Sequence, residues 1–256
     1  MLKKRKLGQT GLEVSCLGLG TVKFGRNFEV KYPERFSLPS DLEIERLLAR
    51  ARELGLNLLD TAPAYGSSEQ RLGRLLRNRQ DWILATKVGE EFVGGISQYH
   101  FNAEHINMSV ERSLRDLRTD YLDIVLIHSD GRDCQVLDQT DCVETLERLK
   151  EKGLVRATGI STKTIAGGRR AAELMDVVMV SLNLDYREEA EVVDNALDRN
   201  RGVLIKKALG SGHSNDPGKS LQYAVNYPGV SSVIVGTINP AHLAANVGVI
   251  SDPAPD

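Results

Sequence analysis

Only three cysteines occur in the 256 residues, Cys16, Cys134 and Cys142. They form neither a framework count nor a C-x-x-C pair, which excludes a disulfide scaffold and makes a reducing cytoplasm the expected location. No apolar run approaches the roughly 18 residues of a membrane span. Although Met1-Leu-Lys-Lys-Arg-Lys6 is basic, a Gly8-Gln-Thr-Gly11 turn follows it where a signal peptide would have its apolar stretch. Neither charge sign is in excess: the net charge is −2, with acids and bases interspersed, so nucleic acid and anionic membrane are not expected partners. Repeats, low-complexity tracts and linkers are also missing, so the expectation is a single domain over 1–256, with a frayed tail at 251–256. The five histidines include no H-E-x-x-H pair, and His128-Ser-Asp130 suits zinc poorly, so no metal is expected.

What is present is an alternation. Short apolar, strand-like runs fall at 15–19, 57–60, 82–86, 123–127, 157–161, 177–181, 202–206 and 232–235. Segments of amphipathic helical period separate them, at 41–54, 69–76, 104–117, 142–150, 165–174, 190–197, 220–225 and 240–249. The first helix is the best marked, with a capping box from Ser40 and Glu43 and a stop at Gly55. Eight β-then-α units in a chain of this length predict an α/β fold, a (β/α)8 TIM barrel, ahead of a doubly wound open sheet. Ahead of the barrel, residues 4–14 form two alternating stretches around the Gly-Gln-Thr-Gly turn. They predict a β-hairpin, within residues 1–14, plugging the N-terminal mouth.

Four chemical groups fall at the ends of these runs. Asp60 ends Asn57-Leu-Leu-Asp60, Tyr65 follows in the Thr61-Ala-Pro-Ala-Tyr-Gly66 turn, Lys87 ends Ile83-Leu-Ala-Thr-Lys87 and His128 ends Ile124-Val-Leu-Ile-His128. In a parallel barrel all strands end on one face, where active sites of this architecture lie. A phenol ordinarily titrates near pH 10, too high for a matched proton shuttle at neutral pH. A neighbouring ammonium stabilises its phenolate, and a carboxylate keeps that ammonium charged. The expected device is therefore a phenol tuned downward by Lys87 and Asp60, with an imidazole to orient a substrate oxygen. Such a donor serves reactions that place negative charge on oxygen, carbonyl reduction among them.

Two nucleotide-binding patterns fail on spacing. Gly212-His-Ser-Asn-Asp-Pro-Gly-Lys-Ser220 has five residues between its glycines where a P-loop needs four. Gly18-Leu-Gly20 does not extend to G-x-G-x-x-G, because position 23 is Lys. The stretch Ala208-Leu-Gly-Ser-Gly212, in contrast, can bring the backbone of Leu209, Gly210, Ser211 and Gly212 close to a diphosphate.

The residues Leu19-Gly-Thr21, Asn57-Leu-Leu-Asp-Thr-Ala-Pro-Ala-Tyr-Gly66, Thr86-Lys87, Asp120-Tyr-Leu-Asp-Ile-Val-Leu-Ile-His128, Gly159-Ile-Ser161 and Pro228-Gly-Val-Ser-Ser-Val-Ile-Val-Gly-Thr-Ile-Asn-Pro240 together resemble the aldo-keto reductase family over essentially the whole chain. The resemblance implies reduction of aldehydes and ketones with a nicotinamide dinucleotide. Tyr65 would give the proton, Lys87 and Asp60 tune it, and His128 align the carbonyl. Cofactor residues would be Gly20, Thr21, Ser161, Thr162, Met179, Lys206, the Leu209–Gly212 stretch, Gly236, Thr237, Asn239, His242 and Asn246. Here the chain departs from the family's pattern. Thr162 replaces an asparagine, Met179 a glutamine and Lys206 a stacking aromatic ring, while Gly236 and His242 stand where NADPH-preferring members carry cations. Thr237 and Asn239 remain to meet phosphate through neutral hydrogen bonds, and Asn246 would face adenine. The expectation is NADP(H) ahead of NAD(H), a small carbonyl substrate, and a monomer or weak oligomer. The competing reading is a nucleotide-binding regulatory barrel without turnover.

The long first loop, 22–39, with Lys23, Phe24, Arg26, Phe28, Tyr32 and Phe36, and a loop after the third barrel strand carrying Phe92, Tyr99 and Phe101, are expected either to wall a substrate pocket or to pack on the barrel. The few residues after the last helix predict an open site of loose specificity.

Overall fold

Residues 2–251 are described by the structure, a computed structural model. It opens with an antiparallel hairpin, β1 (Lys4–Lys6) and β2 (Glu13–Ser15). Eight parallel strands then close a barrel in chain order: β3 (Leu17–Gly20), β4 (Leu58–Asp60), β5 (Ile83–Val88), β8 (Leu122–His128), β9 (Val155–Ser161), β10 (Val177–Ser181), β11 (Gly202–Lys206) and β12 (Ser232–Gly236), which pairs back with β3. The remaining two strands, β6 (Glu90–Val93) and β7 (Ile96–Tyr99), form a second hairpin standing off the barrel between β5 and β8.

Strand alternation sorts the side chains. Leu58, Ala85, Ile124, Leu126, Ala157, Val177, Met179 and Leu204 fill the barrel interior, and Leu7, Leu12 and Val14 of the first hairpin join the same cluster from below. The hairpin is thus the plug expected at the N-terminal mouth. Because side chains repeat every second residue, Asp60, Lys87, His128, Ser161, Ser181 and Lys206 lie two positions beyond interior residues or along the same inward face. The parity that fills the core therefore delivers polar groups to the C-terminal rim. The outward faces of the strands and the helices make a second, larger apolar layer that includes Phe24, Ile44, Leu47, Leu72, Trp82 and Leu146.

The helices fall close to the expected spans, at Asp41–Glu53, Ser68–Leu75, Ala103–Leu117, Cys142–Glu151, Ile165–Leu174, Ala190–Asp198, Pro217–Asn226 and Pro240–Ser251. The capping box holds, with Ser40 N donating to Glu43 Oε2 at 2.7 Å and Glu43 N to Ser40 Oγ at 3.3 Å. Three elements correct the sequence expectation. The segment after β5 is a hairpin, not a loop; its Gly94-Gly95 turn has both φ angles positive, at 60° and 86°, as a two-residue hairpin turn requires. Asp133–Gln139 is a helix, and Val22–Gly25 is a helical turn inside the first loop. Of the expected frayed tail, Ser251 belongs to the last helix and the other residues lie outside the described ones. No helix among the described residues is long and apolar enough to cross a membrane.

Candidate active site

The four strand-end groups meet. Lys87 is 2% exposed, a position an ammonium tolerates only with partners. Its Nζ donates to Asp60 Oδ1 at 2.5 Å and to Thr61 O at 2.9 Å. Tyr65 sits on a 3-10 turn, Pro63–Tyr65, that places its ring 4.7 Å from Lys87 Nζ. The turn is pinned by close packing against the first loop. Gly66 has φ 62°, and a side chain on it or on Gly25 would come within 2.3 Å of backbone atoms. The His128 ring stands edge-on to Tyr65, centroids 6.3 Å apart. Thr21 is fully buried behind this group; its hydroxyl donates to Asp60 O at 2.9 Å and lies 2.8 Å from Ser68 Oγ, which steadies the strand end.

The electrostatics correct one expectation. Burial pushes the Tyr65 phenol above its ordinary value; Lys87 pulls it down and Asp60 adds to the rise. The phenol is therefore protonated across the neutral range, poised to give a proton rather than resting partly as phenolate. Burial works against the Lys87 ammonium, but Asp60 and Tyr65 outweigh it and hold the ammonium above its ordinary value. For His128, burial drives the ring toward its neutral form, opposed by Glu90 and assisted by Lys87 and Lys206.

Glu90 is a site residue that sequence reading missed. It opens β6, lies 8% exposed, and brings Oε2 to 2.6 Å from His128 Nδ1. The approach is too oblique for a linear hydrogen bond. Burial alone would push the Glu90 carboxyl up, but His128 and Ser97 bring it down to about 2. Had the Gly94-Gly95 turn been read as a hairpin signal, Glu90 would have been placed beside the rim.

The rim opens into a cavity of about 690 Å³ that contains Asp60, Tyr65, Lys87, Glu90 and His128. Gly20, Ser161, Met179, Lys206, Leu209, Ser211, Gly212 and Gly236 line the same space. A neighbouring cavity of about 540 Å³ adds Thr162 and Gly210. The two share Lys31, Lys163, Lys207 and Ser211, so they form one groove running from the four groups toward β11. A larger cavity, about 830 Å³, lies at the plugged end between the first hairpin and residues 225–231 and holds none of these groups.

The remaining expected residues are placed as follows. Lys206 Nζ reaches across the barrel mouth to Ser161 Oγ at 2.8 Å and Thr162 O at 2.6 Å, so it sits over β9 rather than beside the Ala208–Gly212 stretch. Burial brings its ammonium down to about 7. Lys207 does not point away as strand alternation would have it. Its φ is 56°, the strand ends at Lys206, and Lys207 lines the groove as well. Met179 is buried in the barrel interior below. The amides of Gly210 and Gly212 are taken up by Lys207 O and Leu209 O, leaving lysines rather than those amides to meet an anion. Thr237 Oγ1 accepts from Asn239 N, and Asn239 Oδ1 accepts from Ala241 N, so both side chains serve the start of the last helix. His242 is exposed and Asn246 half-buried on that helix.

The first loop lies over the groove. Tyr32 comes against Gly236, and Pro33 against Gly212, closely enough that a side chain at either glycine would meet them at 2.4 and 3.1 Å. Arg26 lies 3.3 Å over the Phe92 ring, and Phe92 packs on Phe28, joining the first loop to the second hairpin. Of the residues expected either to wall a pocket or to pack on the barrel, Lys23, Arg26, Tyr32 and Tyr99 line the cavity, whereas Phe24 and Phe101 pack on the core.

A closed parallel barrel carrying a carboxylate, a phenol, an ammonium and an imidazole on its C-terminal rim defines a class, and the comparisons agree. The model of the Aldo/keto reductase family matches residues 16–216, and the chain belongs to that family of oxidoreductases. A crystal structure from Pseudomonas aeruginosa with a provisional aldo-keto reductase description is 50% identical, with a TM-score of 0.90 over 97% of this chain and 94% of that one. The L-galactose dehydrogenase of Arabidopsis thaliana is 26% identical over 98% of this chain and 89% of its own length. An uncharacterized oxidoreductase of Bacillus subtilis is 36% identical over 63% of this chain, which spans about half of that protein, 49%.

Proposed function

We propose that this protein is an NAD(P)H-dependent oxidoreductase that reduces aldehyde and ketone carbonyls to alcohols. The observation that carries the reading is the buried Lys87–Asp60 pair set directly against the Tyr65 ring. Structural ion pairs do not need a phenol held at a cavity wall, and a proton donor does.

The groove fits a dinucleotide by its donor set. Lys31, Lys163 and Lys207 line it without carboxylate partners among the described ion pairs, and so suit a diphosphate. Ser161, Thr162 and Lys206 would meet the nicotinamide end, and the first turn of the last helix, with His242, the adenosine end. When bound, that cofactor supplies the hydride. Tyr65 holds the proton that the substrate oxygen needs, Lys87 stabilises the phenolate left behind, and Asp60 keeps Lys87 charged and in place. His128 orients the oxygen. NADPH is the favoured form, with NADH accepted.

The test is a fluorescence titration with NADPH and NADH separately, followed by turnover on a panel of aldehydes and ketones. Binding with turnover supports the proposal. Binding with no turnover on a broad panel would turn the reading to a regulatory barrel.

A further inference from the structure

Either ring nitrogen of His128 can be donor or acceptor, since a neutral imidazole has one of each and the tautomer decides which. Its Nδ1 is buried, 2.6 Å from Glu90 Oε2. The second oxygen of that carboxylate accepts from Ser97 Oγ at 2.5 Å, so the carboxylate is held from behind by the hairpin that carries it. The approach is off the line of a linear hydrogen bond, yet an Nδ1 lone pair 2.6 Å from a carboxylate oxygen would still set two negative ends together, whereas an N–H there is attracted to it. The carboxylate therefore favours the tautomer that carries the proton on Nδ1.

We infer that Glu90 is a positioning residue that fixes the proton of His128 on Nδ1, leaving Nε2 as an acceptor toward the substrate when the ring is neutral and a donor only when it takes a second proton. The inference rests on the oxidoreductase reading for its consequence, but not for its geometry. A carbonyl oxygen has no hydrogen to give, so it is held through Nε2 only by the imidazolium. An alcohol can donate its O–H to the bare Nε2 of the neutral ring. One site thus binds carbonyl on its acidic limb and alcohol on its alkaline limb, and Glu90 sets where the two limbs meet.

The groups facing the ring come from every surrounding element. Lys87 from β5 and Lys206 from β11 oppose a second proton, as does burial; Glu90 from β6 favours it. Tyr65 stands edge-on, Asp60 is neutralised by Lys87, and Tyr99 and Arg26 flank Glu90 rather than the ring. Glu90 is thus the only one of these carboxylates with no lysine or arginine against it closer than the imidazole.

The measurement is the nitrogen-15 and proton spectrum of histidine-labelled protein, with the His128 signals assigned by their loss in His128→Gln. The expected wild-type neutral ring carries its proton on Nδ1. Glu90→Gln removes the charge while keeping the shape, and should lower the His128 midpoint by about half a pH unit or more. The alkaline limb of carbonyl reduction should move down by the same amount. A neutral ring protonated on Nε2 in the wild type overturns the inference, and so does a midpoint unchanged in Glu90→Gln. Should Glu90→Gln fail to fold, the wild-type tautomer alone decides. An Nδ1 proton in a protein without turnover on any carbonyl would sink the reductase reading and leave the role of Glu90 standing.

Discussion

The two halves of the rim are built differently. From β4 to β8 the site is made of side chains locked to one another: Asp60 on Lys87, Lys87 against Tyr65, Glu90 on His128. From β9 to β12 it is made of lysines lining a groove, a buried methionine, and glycines packed under a tyrosine and a proline. A reaction centre needs fixed distances, which interlocked side chains provide. A long flexible ligand needs charge and space along its length, which many side chains can provide. The first half is therefore tightly specified by residue type, and the second is open to substitution.

The severest way to test that contrast is Tyr65→Phe. Removing a positioned proton donor should lower turnover by about 10²–10⁴, while the titrated affinity for NADPH stays as it was. Retention of more than about a tenth of the wild-type rate, with chemistry limiting, would take Tyr65 out of the mechanism.

The next effect lies behind the same half. Glu69 is buried against Thr86, whose hydroxyl donates to it at 2.5 Å, and burial raises its carboxyl to about 7. The folded state thus holds a proton that the unfolded chain releases at the ordinary carboxyl range. Stability contributed by that proton is present at acid pH and is lost as pH rises toward and through about 7. Glu69→Gln should be neutral in strong acid and stabilising by about 1–3 kcal/mol at pH 8. Denaturant melts at both pH values check this; a substitution that destabilises at pH 8 would show that the charged form is well accommodated.

In the groove, smaller effects are expected. His242→Arg should tighten NADPH by about 1–2 kcal/mol, the worth of a charge-assisted hydrogen bond, and leave NADH alone. Equal changes for both cofactors would place residue 242 away from the ribose phosphate. Lys206→Met should weaken both dinucleotides by roughly three- to tenfold, less so as salt rises. Lys207→Met should act in the same direction, since both lysines line the groove. Exposed Lys152, which ends the helix Cys142–Glu151 at the plugged end, is the control. Salt-independent losses for Lys206→Met would point to a packing role.

This contrast also explains what could be read in advance. The barrel was legible because each buried strand is a short apolar run, and the alternation of β and α periods repeats eight times. Asp60, Tyr65, Lys87 and His128 were legible because each sits at or just after such a run. Glu90 was not, because it belongs to a hairpin whose alternation is masked by two adjacent glutamates and a double glycine. The turn of Lys207 into the groove was not, because a single positive φ after β11 breaks the alternation that would otherwise aim it outward. The direction of the Tyr65 shift was misjudged because sequence shows the neighbouring charges but not the depth of burial that outweighs them.

Arg5, on the first strand of the plug, donates to the carbonyl oxygens of Val225 and Val230, more than two hundred positions along the chain. β3 likewise finds its second partner only in β12. The plug must therefore wait for segments made more than two hundred residues later. Contacts of such sequence separation slow folding, and Leu7, Leu12 and Val14 have no native cavity to enter until the ring exists. Nascent chains halted before β12 should remain open to proteolysis, and release of the last strand should close the barrel and seat the plug together.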